Sequence, residues 1–235
     1  MSATEGAHYL RICGIDMPRV MLRLSKGDEV KYLSHLDVMR TFESALRRAR
    51  IPVSYSEGFN PRPRMSFGSA VGVGVSSNDE RIVVEMASAV DAREVGERLG
   101  SKLPAGLDVL GAESVQDGVK SPLSELNASR FRIEFSCEET CDRLMIENGL
   151  REILDAAQVV VSRTRKGETK EVDIGPYLLD ARLVGCSGDS AAVEVSLRLG
   201  DSGGARPQDF AQALQNRMAN LSVVSICRLE QFHAA

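Results

Sequence analysis

The order in which strand and helix patterns follow one another constrains the fold of this chain most. In the first half, a segment alternating apolar and polar residues from Arg19 precedes a helical pattern that starts after Ser34. Further extended segments, a second helical pattern after Asp91 and a last extended segment follow, and the second half repeats this order from about Arg130. Alternation of apolar and polar residues indicates strands, and apolar residues that recur three and four positions apart indicate helices. The sequence therefore predicts an α+β fold of two similar units.

Strand, helix, strands, helix and strand is the order of the ferredoxin-like, or split βαβ, arrangement, in which two helices cover one face of an antiparallel sheet. We predict two ferredoxin-like units, over residues 19–116 and 128–235, with a linker over 117–127. Residues 1–18 lack a steady period and are expected to be a poorly ordered leader.

An extra hairpin, centred on Lys166 and Gly167, interrupts the second unit, and the segment at 174–185 does not fit the simplest arrangement either. The hairpin carries basic residues interleaved with acidic ones. They are expected to be solvated strand residues, with contact to a nucleic-acid backbone as the second interpretation. These basic residues are Arg163, Arg165, Lys166 and Lys170.

The composition excludes several classes of protein. The net charge of −4 argues against a protein that coats nucleic acid along its whole surface. The chain shows neither an apolar run of about 18 residues nor a secretory signal pattern, so we expect a cytoplasmic protein without a membrane partner.

The cysteines and histidines predict neither a metal nor a cofactor. The five cysteines are odd in number and lack framework-like spacing, so they are expected to be mostly reduced. Cys137 and Cys141 would need a third cysteine at Leu144 to hold the iron–sulfur cluster of a radical-SAM enzyme. The histidines are too scattered for a zinc site. They are His8, His35 and His233.

Positive charge is concentrated between Arg40 and Arg64, where six arginines stand against two glutamates. On a helical wheel, Arg40 and Arg47 lie close together on the face opposite Phe42, while Arg48 lies to the side. Because a solvated helix usually mixes charges of both signs, this face is a candidate for binding an anionic partner. The alternative is a solvated basic face without a ligand.

The loop after this helix has the composition of a stiff recognition segment. Gly58 permits positive φ, and Pro61 and Pro63 keep Arg62 extended. Arginine binds phosphate oxygens in bidentate fashion, and aromatic rings stack on bases. The alternative is a surface loop whose aromatic rings return to the core. The predicted contacts to RNA are Arg40, Arg47, Arg62, Arg64, Phe59 and Tyr55.

His35 is the one candidate for catalysis. It lies two residues from Asp37, so the two side chains do not face each other on a helix. A packed, hydrogen-bonded histidine is the favoured interpretation over a general acid or base.

The segment from Tyr32 to Gly68, with the later "GVSSNDE" and "KGETKEVDI", closely resembles the family of radical-SAM-linked proteins, a domain of unknown function. The resemblance extends from about Arg19 to beyond Asp173, although Arg62 stands where many members carry histidine. Members occur alone or at the C-terminus of cobalamin-type radical-SAM proteins, often encoded near an RNase of the E/G type. The matching residues are Ser34, His35, Asp37, Arg40, Gly58, Phe59, Asn60, Pro61 and Pro63.

The resemblance implies an accessory protein that binds structured RNA, such as tRNA or rRNA, and presents it to a radical-SAM modification enzyme. No specificity for DNA is expected. In this interpretation Ser34, His35, Asp37 and Asn60 fix the loop against the start of the helix. One alternative is a metal-independent RNA endonuclease that uses His35, since the order of elements is similar to that of CRISPR RNA-processing proteins. Another is an RNA-free adaptor for the radical-SAM enzyme.

Overall fold

The computed structural model describes residues 18–116, 121–165, 167–199 and 204–234. The predicted leader, apart from Pro18, lies outside the described residues, as do Lys166 and part of the predicted linker. The chain divides into two compact units, residues 1–126 and 127–235.

The first unit contains a mostly antiparallel sheet and two helices. Its strands lie in the order β4-β1-β3-β2, and each neighbouring pair is antiparallel. In chain order the elements are β1 (Arg19–Lys26), α1 (His35–Arg48), β2 (Met65–Phe67), β3 (Ser76–Glu85), α2 (Ala92–Gly100) and β4 (Leu107–Val115).

Apolar periodicity explains how these elements pack. Val20, Leu22 and Leu24 alternate along β1 and are buried, while Phe42 and Leu46 on α1 are fully buried against them. Burying one such side chain stabilises the fold by about 1.5–3 kcal/mol. The Oγ of Ser34 accepts a hydrogen bond from the amide of Asp37, so the predicted N-cap of α1 is confirmed.

The strands of the second unit lie in the order β10-β5-β9-β8, and each neighbouring pair is antiparallel. Among the described strands, β6 and β7 pair with each other, as the predicted hairpin. In chain order the elements are β5 (Ala128–Cys137), α3 (Arg143–Asp155), β6 (Val160–Arg165), β7 (Glu168–Asp173), β8 (Leu178–Ser187), β9 (Ser190–Arg198), α4 (Pro207–Gln215) and β10 (Leu221–Phe232).

The predicted α+β class with antiparallel sheets is confirmed, but three local predictions differ from the structure. The sequence predicts an extended segment at 64–75, but a strand forms there only over Met65–Phe67. The segment at 174–185 contains β8, which was not predicted. The recurrence of apolar residues along α1 predicts Leu36 on the buried face, but Leu36 is 61% exposed in the first turn of the helix.

The prediction of reduced cysteines is wrong at one pair. Cys137 and Cys141 form a disulfide, with Cα atoms 5.5 Å apart. This is possible because α3 begins only at Arg143, after the N-cap Asp142, which leaves residues 138–141 free to turn back. Among the described residues, no helix has the length and apolar character needed to cross a membrane.

Candidate nucleic-acid interface

Helix α1 presents arginines on the face that points away from the core. Arg40 and Arg47 are both exposed, opposite the buried Phe42. Arg40 lies 3.7 Å from the carboxylate of Asp37, a loose and solvated pair. Arg48 turns aside and donates to the carbonyl of Lys102 at 2.6 Å. Arg40 and Arg47 therefore remain available for a partner, whereas Arg48 has a structural contact.

The loop after α1 is a short hairpin, which we call the recognition hairpin (residues 53–64). Tyr55 bridges to Pro63, and the amide of Ser56 donates to the carbonyl of Arg62 at 2.8 Å. The amide of Arg62 in turn donates to Oγ of Ser56 at 3.0 Å. At its tip Gly58 has φ +119°, a backbone region that favours glycine.

Strand β3 anchors the base of the recognition hairpin. The amide of Ser54 donates to the carbonyl of Glu85 at 2.8 Å, and the amide of Glu85 donates to the carbonyl of Arg64 at 3.0 Å. The side chain of Arg64 also donates to the carbonyl of Tyr55 at 3.3 Å and lies 4.0 Å from the carboxylate of Glu85. Arg64 therefore helps to hold the hairpin.

The recognition hairpin exposes both an aromatic ring and an arginine. The Phe59 side chain is fully solvent-exposed, Arg62 is exposed and Tyr55 is 42% exposed. Phe67, which follows the hairpin, instead packs edge-on against Phe42 with ring centroids 6.4 Å apart. The interpretation that the loop aromatics return to the core therefore holds for Phe67 and fails for Phe59.

The predicted tie between the recognition hairpin and the start of α1 is absent from the described contacts. The hydroxyl of Ser34 donates to Asp37 at 2.6 Å, and neither side chain bonds to Asn60. His35 instead meets the edge of the Phe67 ring, with centroids 5.2 Å apart. The hairpin is instead closed by its own two hydrogen bonds between Ser56 and Arg62.

A narrow pocket opens beside His35. Its enclosed volume is about 20 Å³, room for a single water molecule and far too small for a base. The buried Lys26 lines it and donates to the carbonyls of Lys31 and Leu33 at 2.9 and 3.1 Å. Glu80 and Phe67 also line it. His35 contacts the Phe67 ring but is exposed at the mouth of the pocket, so it is packed on one side only.

Two residues near the site were missed by sequence reasoning. The alternation that predicts β1 places Lys26 only at the end of that strand. Its position beside His35 depends on how β1 and α1 pack. Glu85 was assigned only to a strand, and its contact with Arg64 depends on the register of β2 on β3, in which Met65 faces Val84. Neither contact leaves a local signal in the sequence.

One arginine of the basic β6–β7 hairpin is bound to other residues of the same unit. Arg163 donates to both carboxylate oxygens of Asp209, at 3.0 and 2.6 Å, and to the carbonyl of Gly204 at 2.8 Å. Both side chains are largely buried. Arg163 is therefore unavailable to a nucleic-acid backbone. In the described part of the chain, no group of three or more His, Cys, Asp or Glu residues is arranged to hold a metal ion.

Fold and site together define a mixed α+β protein that displays an exposed aromatic ring and arginines on a helix and a short hairpin. Residues 19–218 match a family described as an uncharacterized protein conserved in bacteria, DUF2344, and the chain belongs to that family. The sequence has no match among curated proteins.

Solved structures resemble this chain at very low sequence identity. A chain of a Cbf5–Nop10–Gar1 complex is 8% identical, with a TM-score of 0.52 over 90% of this chain and 48% of that one. An H/ACA ribonucleoprotein bound to a substrate RNA containing 2′-deoxyuridine gives 9% identity and a TM-score of 0.47 over 89% and 46%. This protein thus spans about half the length of these chains, and the likeness concerns the fold alone.

Proposed function

We propose that this protein binds structured RNA, such as tRNA or rRNA, in the cytoplasm and presents it to a radical-SAM modification enzyme, without chemistry of its own. The tip of the recognition hairpin carries the proposal. Phe59 is fully exposed there, and the exposed Arg62 lies three residues further on, between Pro61 and Pro63.

A fully exposed phenylalanine on a restrained hairpin favours a ligand that covers the ring. Burying such a ring releases about 1.5–3 kcal/mol, so the free protein forgoes this stabilisation. A base stacks on an aromatic face with about 1–3 kcal/mol, whatever its identity. The guanidinium of Arg62 suits the phosphate beside such a base, because its planar fork matches two phosphate oxygens.

Arg40 and Arg47 supply a second set of phosphate contacts in this proposal. They lie on the exposed face of α1, which ends at Arg48 shortly before the recognition hairpin begins at Val53. A confined basic surface of this kind suits a protein of net charge −4 that contacts RNA at one place. Tyr55, half-exposed on the hairpin, is the additional stacking surface.

The finer fold assignment and the partner enzyme are part of the proposal. We assign each unit to the ferredoxin-like arrangement, since both follow the order βαββαβ once the β6–β7 hairpin is treated as an insertion in the second. The radical-SAM partner rests on the sequence resemblance alone. The likeness to the Cbf5–Nop10–Gar1 complex supports the fold and adds nothing about the ligand.

The test begins with affinity purification of the tagged protein from its own cells, with and without ribonuclease, followed by RNA sequencing and mass spectrometry. RNA binding predicts enriched RNA together with a radical-SAM enzyme whose recovery falls after ribonuclease treatment. Recovery of that enzyme without RNA would instead make the protein an adaptor and refute the proposal.

Variants of the hairpin tip make the test specific to this site. Arg62→Glu and Phe59→Ala should each weaken binding to the recovered RNA by about tenfold or more, and Arg62→Glu should also reduce the salt dependence. Arg93→Glu, a charge reversal at an exposed site on α2, is the matched control and should bind nearly normally. Arg64 is unsuitable, because a glutamate there would face Glu85 and disturb the hairpin.

An RNA endonuclease is the second candidate, favoured by the position of His35 at the mouth of a pocket that Lys26 and Glu80 also line. The imidazole would act as general acid or base on RNA held outside the pocket. Incubating the recovered RNA with the protein tests this idea. Cleavage that His35→Ala stops without loss of affinity would establish it, and intact RNA after long incubation would reject it.

A further inference from the structure

Three cysteines meet at one end of the second unit. Cys137 ends β5 and is bonded to Cys141, the residue before the N-cap of α3. Cys186 lies near the end of β8, and its thiol donates to the backbone carbonyl of Cys141 at 3.4 Å. A third sulfur is thus held beside an existing disulfide.

The turn between β8 and β9 fixes this arrangement. The amide of Cys141 donates to the carbonyl of Gly188 at 2.8 Å, and the amide of Cys137 donates to the carbonyl of Asp189 at 2.7 Å. Cys186 lies two residues before Gly188, the first residue of this turn. The backbone that carries Cys186 is therefore bound to both cysteines of the disulfide, and its side chain is directed at Cys141.

Exposure differs between the three residues in a way that matters for their chemistry. Cys137 and Cys141 are only 7% and 6% exposed, whereas Cys186 is partly exposed. A thiolate must reach a disulfide sulfur to break the bond, so burial protects the Cys137–Cys141 bond from dissolved thiols. The Cys186 thiol is hydrogen-bonded to the backbone of Cys141 and still has access to solvent.

We propose that Cys186 is the exchange partner of the Cys137–Cys141 disulfide and connects it to external dithiols. The Cys186 thiolate attacks Sγ of Cys141, the bond between Cys137 and Cys141 breaks, and a Cys141–Cys186 disulfide forms. Cys137 leaves as the thiolate and takes up the proton that Cys186 lost, so this step involves no net oxidation.

A dithiol from solution then reduces the new, more accessible Cys141–Cys186 bond. The dithiol becomes a disulfide, and both cysteines become thiols. Under the cytoplasmic function proposed above, such an exchangeable pair is expected, because cytosolic disulfides are typically transient.

A trapping experiment tests which sulfurs meet. Cys137→Ser leaves Cys141 with Cys186, and Cys141→Ser leaves Cys137 with Cys186. After mild oxidation with glutathione disulfide and digestion, mass spectrometry should detect the 141–186 crosslink in the first variant. The 137–186 crosslink in the second should be weaker by at least about tenfold. Equal crosslinking in both variants, or glutathione adducts alone, would overturn the proposal.

A kinetic experiment keeps the native disulfide and so does not depend on the folding of those variants. Reduction by dithiothreitol is followed by acid quenching, alkylation and mass spectrometry. Cys186→Ser should slow the loss of the Cys137–Cys141 bond by about tenfold, while Cys227→Ser, which removes a second partly exposed thiol of the described residues that is not in the disulfide, should leave the rate unchanged. An unchanged rate in Cys186→Ser would show that external thiols attack the buried pair directly and would refute the relay.

Discussion

Arg98 on α2 closes the C-terminal end of α1 by donating two hydrogen bonds to the carbonyl of Ala49, from Nε at 3.2 Å and from a terminal nitrogen at 2.7 Å. The same guanidinium donates to the carbonyl of Arg50 at 2.8 Å. The last carbonyls of a helix lack partners within the helix, so a cation at this end satisfies them and complements the helix dipole. One side chain thus holds the chain where it leaves α1 for the recognition hairpin.

Arg98→Ala should lower the free energy of unfolding by about 1–3 kcal/mol, because charge-assisted hydrogen bonds to backbone carbonyls are lost. Urea unfolding followed by circular dichroism measures the effect. The matched control is Arg93→Ala on the same helix, which removes only a highly exposed pair with Glu97 and should change stability by less than about 0.5 kcal/mol. Equal losses in both variants would contradict the capping role.

Arg50 occupies a backbone position that normally suits glycine. Its φ is +52°, its amide donates to the carbonyl of Arg47, and the amide of Ile51 reaches back to the carbonyl of Leu46. This pattern is a Schellman motif with arginine at the left-handed position. A non-glycine residue there costs about 1–2 kcal/mol.

Arg50→Gly should therefore raise the free energy of unfolding by about 0.5–1 kcal/mol, the relief of that strain less the greater entropy of glycine in the unfolded chain. Denaturant unfolding at neutral pH provides the measurement. Arg47→Gly is the comparison, since the same change within α1 should destabilise the protein by about 1 kcal/mol. A loss of stability in Arg50→Gly would contradict the assignment of strain.

Elements with local signals were predictable from the sequence. The alternation of Val20, Leu22 and Leu24 predicts β1, and the recurrence from Ser34 through Phe42 predicts α1, because both patterns report which face is buried. Strand β8 carries the same kind of signal, since half-buried Leu179, Ala181 and Leu183 alternate with exposed Asp180 and Arg182, but it was missed because a strand there did not fit the simplest order of elements.

Exposure at the candidate site was only partly predictable. Helix geometry alone places Arg40 and Arg47 opposite the core. No local rule separates Arg62, which is exposed, from Arg64, whose partner Glu85 is reached only through pairing of the hairpin with β3. The disulfide between Cys137 and Cys141 could not be predicted for a similar reason. It forms only because α3 starts at Arg143, after the N-cap Asp142.

The buried pair of Arg163 and Asp209 attaches the β6–β7 hairpin to the start of α4. Asp209 also accepts a hydrogen bond from the amide of Arg206 at 2.7 Å, so one carboxylate serves both the strand and the helix cap. Asp209→Ala should lower the free energy of unfolding by about 3–5 kcal/mol, because it leaves a largely buried guanidinium without its carboxylate partner.

Thermal unfolding of the Asp209→Ala variant measures this loss. Arg163→Met combined with Asp209→Ala is the companion variant, and it should recover part of the stability because no buried charge remains. A double variant that is no more stable than Asp209→Ala would show that the unpaired guanidinium is not the source of the loss.

Glu194 on β9 makes the stability of the second unit depend on pH. It accepts hydrogen bonds from Arg182 at 2.6 Å and from Arg132 at 2.8 Å, and it is buried. The hydrogen bond from Arg182 is the main reason that the pKa of Glu194 lies below its ordinary value, and Arg132 adds to it. The unfolded chain has a glutamate pKa of about 4.3, so this stabilisation is complete above that pH and is lost as the pH falls through the lower folded pKa.

We expect Glu194→Gln to lower the free energy of unfolding by about 1–2 kcal/mol at neutral pH, where the charge-assisted hydrogen bonds are lost. Below a pH of about 4 the difference from the unchanged protein should shrink, since protonation then removes the same charge. Denaturant unfolding at a series of pH values measures both. Glu134 is an exposed carboxylate on β5, and Glu134→Gln is the control. Its free energy of unfolding should change with pH in the same way as that of the wild-type protein. The contrary result is a difference in the free energy of unfolding between Glu194→Gln and the wild-type protein that stays constant down to low pH. That result would assign the loss to packing, because only the ionised carboxylate makes the stability depend on pH.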